Sequence, residues 1–241
     1  MADVAFWFDP VCPFAWMTSK WVRLVAEQRE YDVEWRLISL RLLNSHIDYD
    51  AHFPPEYEEG HTSGLRMLRV AAKARADHGS AALGPLYEAF GAHIWDIDPP
   101  ADQLEHRKWL GTPDHVTPVL AQAGLPVDLV GALDDDSWDE EIRAETDLAL
   151  SLTGKDVGTP IIQFQPPDGV AFFGPVISRL PSPDTAVELW DHVIGLAGYA
   201  GFAEMKRSLR ERPQLRVWGH TDDAGAGAQE DWHGGSRRQK R

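Results

Sequence analysis

The chain has 241 residues, 43% of them apolar and 25% charged, and its 38 acidic against 23 basic residues leave a net charge of -15. That balance argues against nucleic acid and anionic membranes as partners, and no apolar run is long enough to cross a bilayer. A single cysteine, Cys12, excludes an internal disulfide framework, and with no basic-then-apolar leader ahead of the first strand the expected location is the cytoplasm.

The run VAFWF at residues 4–8 is apolar throughout and is expected to be a buried strand spanning 3–8. It breaks at Asp9-Pro10, and helical spacing of Met17, Trp21, Leu24 and Val25 predicts a helix over 12–29. Pro13 suits the first turn of that helix, where a backbone N–H has no intrahelical partner to lose. Cys12 is then at a helix N-terminus, where unpaired N–H groups and the positive end of the dipole favour a thiolate. A nucleophilic, readily ionised sulfur is therefore expected. Over 32–40, Val33, Trp35 and Leu37 alternate with Glu34 and Arg36 as in a strand, completing a βαβ unit with parallel strands.

Residues 41–60 read as loop. Helical patterning follows at 62–76, 83–95, 101–110, 114–123, 126–133 and 137–153, punctuated by Gly79, Pro113, Pro118, Gly124 and Pro126. With almost no strand signal from 46 to 156, this stretch is expected to be a helical subdomain set between two halves of a sheet protein. Strand patterning returns after Gly158-Thr159-Pro160, at 161–164 and 170–173, across a Pro166-Pro167-Asp168-Gly169 turn. Ser182-Pro183-Asp184 has the form of a helix start: a capping hydroxyl, a proline in the first turn, an acidic residue near the dipole. A last short helix is expected over 202–210, and the polar composition from 215 onward predicts a disordered tail.

The ten histidines show no metal-ligand spacing, and there is no second cysteine for a zinc pair. His46, His52 and His61 are expected to be ordinary loop or packing residues. The chemistry-bearing features are the Asp9-Pro10-Val11-Cys12-Pro13-Phe14-Ala15-Trp16 stretch and the distant Gly158-Thr159-Pro160.

A strand, a Cys-Pro helix start, a helical insertion and a Gly-Thr-Pro strand entry together resemble the DsbA-like superfamily of thioredoxin-fold proteins. With the FWFDP run at 6–10 and the VAFFGPV run at 170–176 added, the chain is similar to its actinobacterial branch that includes the mycothiol-dependent nitroreductases. The likeness runs from about residue 3 to residue 214. It extends to kappa-class glutathione transferases and 2-hydroxychromene-2-carboxylate isomerases. What the resemblance implies is an α/β thioredoxin-like fold divided into 1–45 and 157–214, around an all-helical insertion at 46–156, with 215–241 as the tail. It implies catalysis at Cys12, within the motif Cys12-Pro13-Phe14-Ala15, and a cis bond at Thr159-Pro160 whose backbone receives a thiol. It also implies a pocket including Asn44 and Tyr57, to which Asp9, Trp16 and Trp95 are candidate additions. No tightly bound cofactor is implied; mycothiol or glutathione serves as co-substrate for a small disulfide or electrophile, and homodimers are common. Ala15 is a departure, since members known for nitroreductase activity carry a second cysteine there. Three readings stay open: a single-cysteine thiol oxidoreductase, a kappa-like transferase or isomerase in which a bound thiol is the nucleophile, and a non-catalytic binding protein.

Overall fold

The computed structural model describes residues 2–52, 56–154, 156–207, 209–221 and 229–231. Strand β1 (Val4–Phe8) is central: it pairs in parallel with β2 (Val33–Leu37) on one side and antiparallel with β3 (Ile161–Phe164) on the other. Strand β4 (Ala171–Phe173) pairs antiparallel with β3 and completes the order β2-β1-β3-β4. This mixed sheet with a βαβ start and a terminal hairpin is the thioredoxin-like arrangement, with helices inserted between β2 and β3.

All five residues of β1 are buried because helices cover both sheet faces. Successive side chains point to opposite faces of a strand. Val4, Phe6 and Phe8 accordingly join the large core, whereas Ala5 and Trp7 pack with Ile38, Ala149 and Ile161 on the other side. Helix α1 (Pro13–Ala26) lies against the large core, and the Phe8 ring stacks on Tyr87 at a centroid distance of 3.8 Å.

The insertion comprises α2 (Leu40–Leu43), α3 (Tyr49–His52), α4 (Glu56–His78), α5 (Leu83–Trp95), α6 (Gln103–Trp109), α7 (Pro113–Gln122) and α8 (Asp139–Thr153), with 3-10 turns at Ser80–Ala82, Val127–Asp134 and Asp136–Trp138. The stretch 41–60 expected to be loop thus holds two short helices and the first turn of α4, which starts at Glu56 rather than near residue 62; the Ser39 hydroxyl caps α2 by accepting from Leu42 N at 3.3 Å. Arg69 grips Asp139 through two bonds of 2.7 and 2.8 Å, joining α4 to the start of α8. Glu145 on α8 accepts from the Leu37 N–H of edge strand β2 at 2.7 Å, so the insertion is hydrogen-bonded to the sheet itself.

Helix α9 (Pro183–Ala197) packs on α1, where the Trp21 and Trp190 rings meet edge to face at 5.3 Å. The expected helix at 202–210 does not form. Residues 202–207 are irregular, and β5 (Leu209–Glu211) pairs antiparallel with β6 (Gln229–Asp231). Gly198 and Gly201 loosen the chain after α9, and pairing along the backbone prevails over weak helical spacing. The polar tail also begins later than expected: Leu215 and Val217 are buried, and residues 216–218 form a 3-10 turn. Residues 222–228 and 232–241 of the expected tail lie outside the described residues.

A Cβ on Gly91 of α5 would sit 2.2 Å from the buried Trp16 ring. Gly91→Ala is expected to destabilise the fold by about 1–3 kcal/mol through overpacking, measured by chemical denaturation. An unchanged midpoint contradicts this close packing.

Candidate thiol site

Cys12 caps α1. Its backbone is extended (φ -89°, ψ 111°), and its sulfur accepts from the Ala15 N–H at 3.4 Å, while its own N–H donates to the Asp9 carbonyl at 3.0 Å. The Cys12 thiol points across to the other half of the fold and donates to the Thr159 carbonyl at 3.5 Å. The Thr159-Pro160 peptide bond is cis, as are Pro166-Pro167 and Gly174-Pro175. The sequence motifs separated by 147 residues therefore meet at one sulfur. Phe14 and Ala15 are buried beside it, with Leu40 and Val176 packed on them. Pro13 occupies the first turn, and Thr18 one turn further along α1 donates to the Pro175 carbonyl at 2.8 Å.

The electrostatics correct one expectation. Cys12 is only 6% exposed, and burial pushes its thiol up to about 11 rather than down. The Thr159 side chain and the backbone N–H groups of Ala15 and Phe14 pull the other way, whereas the Asp9 charge adds to the rise. Helix-end donors are present as the sequence indicates, but the loss of water around the sulfur outweighs them. Cys12 is a neutral thiol at pH 7.

Asp9 is fully buried; its carboxylate accepts from Val11 N at 3.0 Å and Leu40 N at 2.8 Å. It ties the cysteine loop to the chain leaving β2. Burial raises it to about 7 against the pull of those two donors. Helix α4 comes within reach of this carboxyl group only because residue 64 is glycine: a Cβ there would lie 2.7 Å from Asp9 Oδ1 and from Val11 Cγ2.

The remaining candidates divide. Trp95 donates its indole N–H to the Pro10 carbonyl at 2.9 Å and so braces the loop that carries Cys12. Trp16 faces the core, edge-on to Tyr87 at 5.7 Å, with its Nε1 donating to Asp96 at 3.3 Å. Asn44 caps the end of α2 through Leu40 O at 2.9 Å. Tyr57 meets the His61 ring edge to face at 5.7 Å. Sequence inspection missed Tyr49, whose hydroxyl is 3.0 Å from His61 Nδ1; burial holds that imidazole down at about 4. Tyr49 and His61 are twelve positions apart in a stretch without periodicity, so only proximity in space reveals them. The side chain of His52 lies outside the described residues. Among the described residues no group of three His, Cys, Asp or Glu side chains is placed to hold a metal ion.

The sequence model of the Rv2466c-like family, described as mycothiol-dependent nitroreductase Rv2466c, matches residues 11–207. The chain is 30% identical over 209 residues to the uncharacterized protein Rv2286c of Mycobacterium tuberculosis, covering 86% of this chain and 82% of that protein. Among solved structures, the probable DsbA oxidoreductase SCO1869 of Streptomyces coelicolor superposes with a TM-score of 0.47 at 15% identity, over 89% of this chain and 98% of that one.

The reaction rate of Cys12 with iodoacetamide is expected to keep rising with pH toward about 11, the value that burial imposes on the thiol. A plateau reached by neutral pH contradicts the buried, neutral sulfur.

Proposed function

Because the chain belongs to the Rv2466c-like family of mycothiol-dependent nitroreductases, we propose that it is a thiol oxidoreductase using Cys12 alone, with mycothiol as its small-molecule thiol. Thiol-dependent redox chemistry is the family's class. Ala15 adds that no second thiol within the motif can expel a partner from Cys12. The observation that carries the proposal is the Cys12 sulfur held 3.5 Å from the Thr159 carbonyl, at the end of a strand whose backbone can receive a partner.

The cycle runs in two exchanges. The Cys12 thiol loses its proton to solvent, and its thiolate attacks one sulfur of a disulfide RSSR; the Cys12–S–S–R bond forms while RS⁻ leaves and takes up a proton. A mycothiol thiolate then attacks the R-side sulfur and releases Cys12. These two exchanges turn RSSR and one mycothiol into RSH and the mixed disulfide R–S–S–mycothiol; a second mycothiol attacking that product in solution frees the other RSH and leaves mycothiol disulfide, so RSSR is reduced at the expense of two mycothiols. A sulfur whose ionised form is disfavoured is a poor leaving group, so its mixed disulfide persists and the reduced protein acts as a reductant. Nitroaromatic or other electrophilic substrates fit the same reducing role, with two thiols oxidised to a disulfide for each electron pair delivered. A lone thiol that must stay reduced suits the cytoplasm.

A second reading has its own observation. Since Cys12 is a neutral thiol that donates a hydrogen bond, it could donate to the sulfur of bound mycothiol, which would then be the nucleophile as in a kappa-like transferase.

Intact mass spectrometry after incubation with oxidised mycothiol separates the two. One mycothiol per chain, lost in Cys12→Ser, is the expected result, with oxidised glutathione the weaker donor. Ala15→Cys is expected to shorten the life of that adduct by closing a disulfide with Cys12. No adduct, together with turnover that survives Cys12→Ser, overturns the proposal.

A further inference from the structure

We propose that residues 211–218, which lie beyond the family match at 11–207, form a strap that sets access to the Cys12 sulfur, with Glu211 and Trp218 as its positioning residues. The strap reaches both walls around the sulfur. At one end the Glu211 carboxylate accepts from Ser178 Oγ and from Arg179 Nε and Nη2, each at 2.7 Å, and Gln214 N donates to the Ser178 carbonyl at 2.8 Å. Ser178 is two residues past Val176, which packs against the Cys12 cluster. At the other end the Trp218 ring meets Trp95 edge to face at 5.6 Å, and Trp95 holds the Pro10 carbonyl two residues before Cys12.

Between these ends the strap is anchored. Pro213, Leu215 and Val217 are buried, Arg216 pairs with Asp98 at 2.8 Å, and the Arg212 guanidinium stacks over Trp218 at 4.0 Å. Gly219, at φ +81°, ends the turn in a conformation that suits glycine. These buried side chains and polar contacts hold the segment on both sides of the Cys12 site.

Cys12 is 6% exposed, with Val176 packed against its cluster and the 9–12 loop, which carries the sulfur, braced by Trp95. On this proposal the tethers keep both in place and so limit how a reagent reaches the sulfur. Loosening either tether raises the population of local openings. The same loosening spoils the alignment of Thr159 and Cys12 that a docked disulfide needs. A small alkylating agent and a bulky disulfide should therefore respond in opposite directions.

This inference rests on Cys12 being the exchanging thiol. Its test compares Glu211→Ala and Trp218→Ala with the unaltered full chain, using iodoacetamide and oxidised mycothiol as probes of Cys12. Alkylation is expected to accelerate by ~10-fold in each variant while mycothiol exchange slows by a comparable factor. Glu211→Gln, close in shape and retaining one acceptor oxygen, is expected to diverge in the same sense at smaller amplitude, and carries the test if the alanine variants do not fold. Unchanged alkylation, or two rates moving in the same direction, overturns the strap. Faster alkylation in variants of a chain that never exchanges with mycothiol keeps the strap and overturns the functional proposal instead.

Discussion

The structure turns on one contact: the N-terminus of α1 meeting the start of β3, so that the Cys12 thiol donates to the Thr159 carbonyl. Cys12 leaves β1 immediately before α1, and Thr159 enters β3 immediately beside it, because β1 and β3 are antiparallel neighbours with Trp7 opposite Ile161. The pairing of those strands therefore fixes the sulfur's partner. The insertion can carry many helices without disturbing this geometry, since it leaves after β2 and returns before β3 at the same end of the sheet. Its own ties, from Glu145 to Leu37 and from Gly64 onto Asp9, close it against the site rather than merely beside it.

Burial around that contact, rather than the contact itself, sets the unusual chemistry of the sulfur. A helix N-terminus stabilises an anion by a modest amount at most, whereas removing water from a thiolate costs more. With Asp9 also buried nearby and Val176 packed over the cluster, the balance falls to the neutral form. Ala15 belongs to this picture. A second cysteine there would offer an internal route to a disulfide; with alanine in its place, the cycle proposed above takes its resolving thiol from solution, and a persistent mixed species suits such a handover.

Much of the fold was legible. Alternation in VEWRL at 33–37, the apolar run at 4–8 and the turn chemistry after 165 depend on local patterns, and the sheet they specify forms. The Cys12–Thr159 meeting was expected from the resemblance to thioredoxin-fold proteins carried by Cys12-Pro13 and Gly158-Thr159-Pro160, and the structure brings the two together. The raised thiol was not: helix position is written locally, whereas burial by Leu40 and Val176 arises from segments 28 and 164 residues away. Tyr49 with His61 and Trp218 with Trp95 were hidden for the same reason, since Tyr49, His61 and Trp218 stand in stretches without a periodic signal. The residues at 215–218 misled most, since their polar surroundings concealed the two side chains that bury.

The central claim is that a small thiol is received on the Thr159 edge facing Cys12. The most direct measurement is a crystal structure of Cys12 trapped as its mycothiol mixed disulfide. The account predicts the mycothiol cysteinyl amide lying along the Thr159 backbone, with the Cys12 sulfur still at the end of α1. A mycothiol moiety swung away into solvent, leaving the Thr159 edge uncovered, would contradict it.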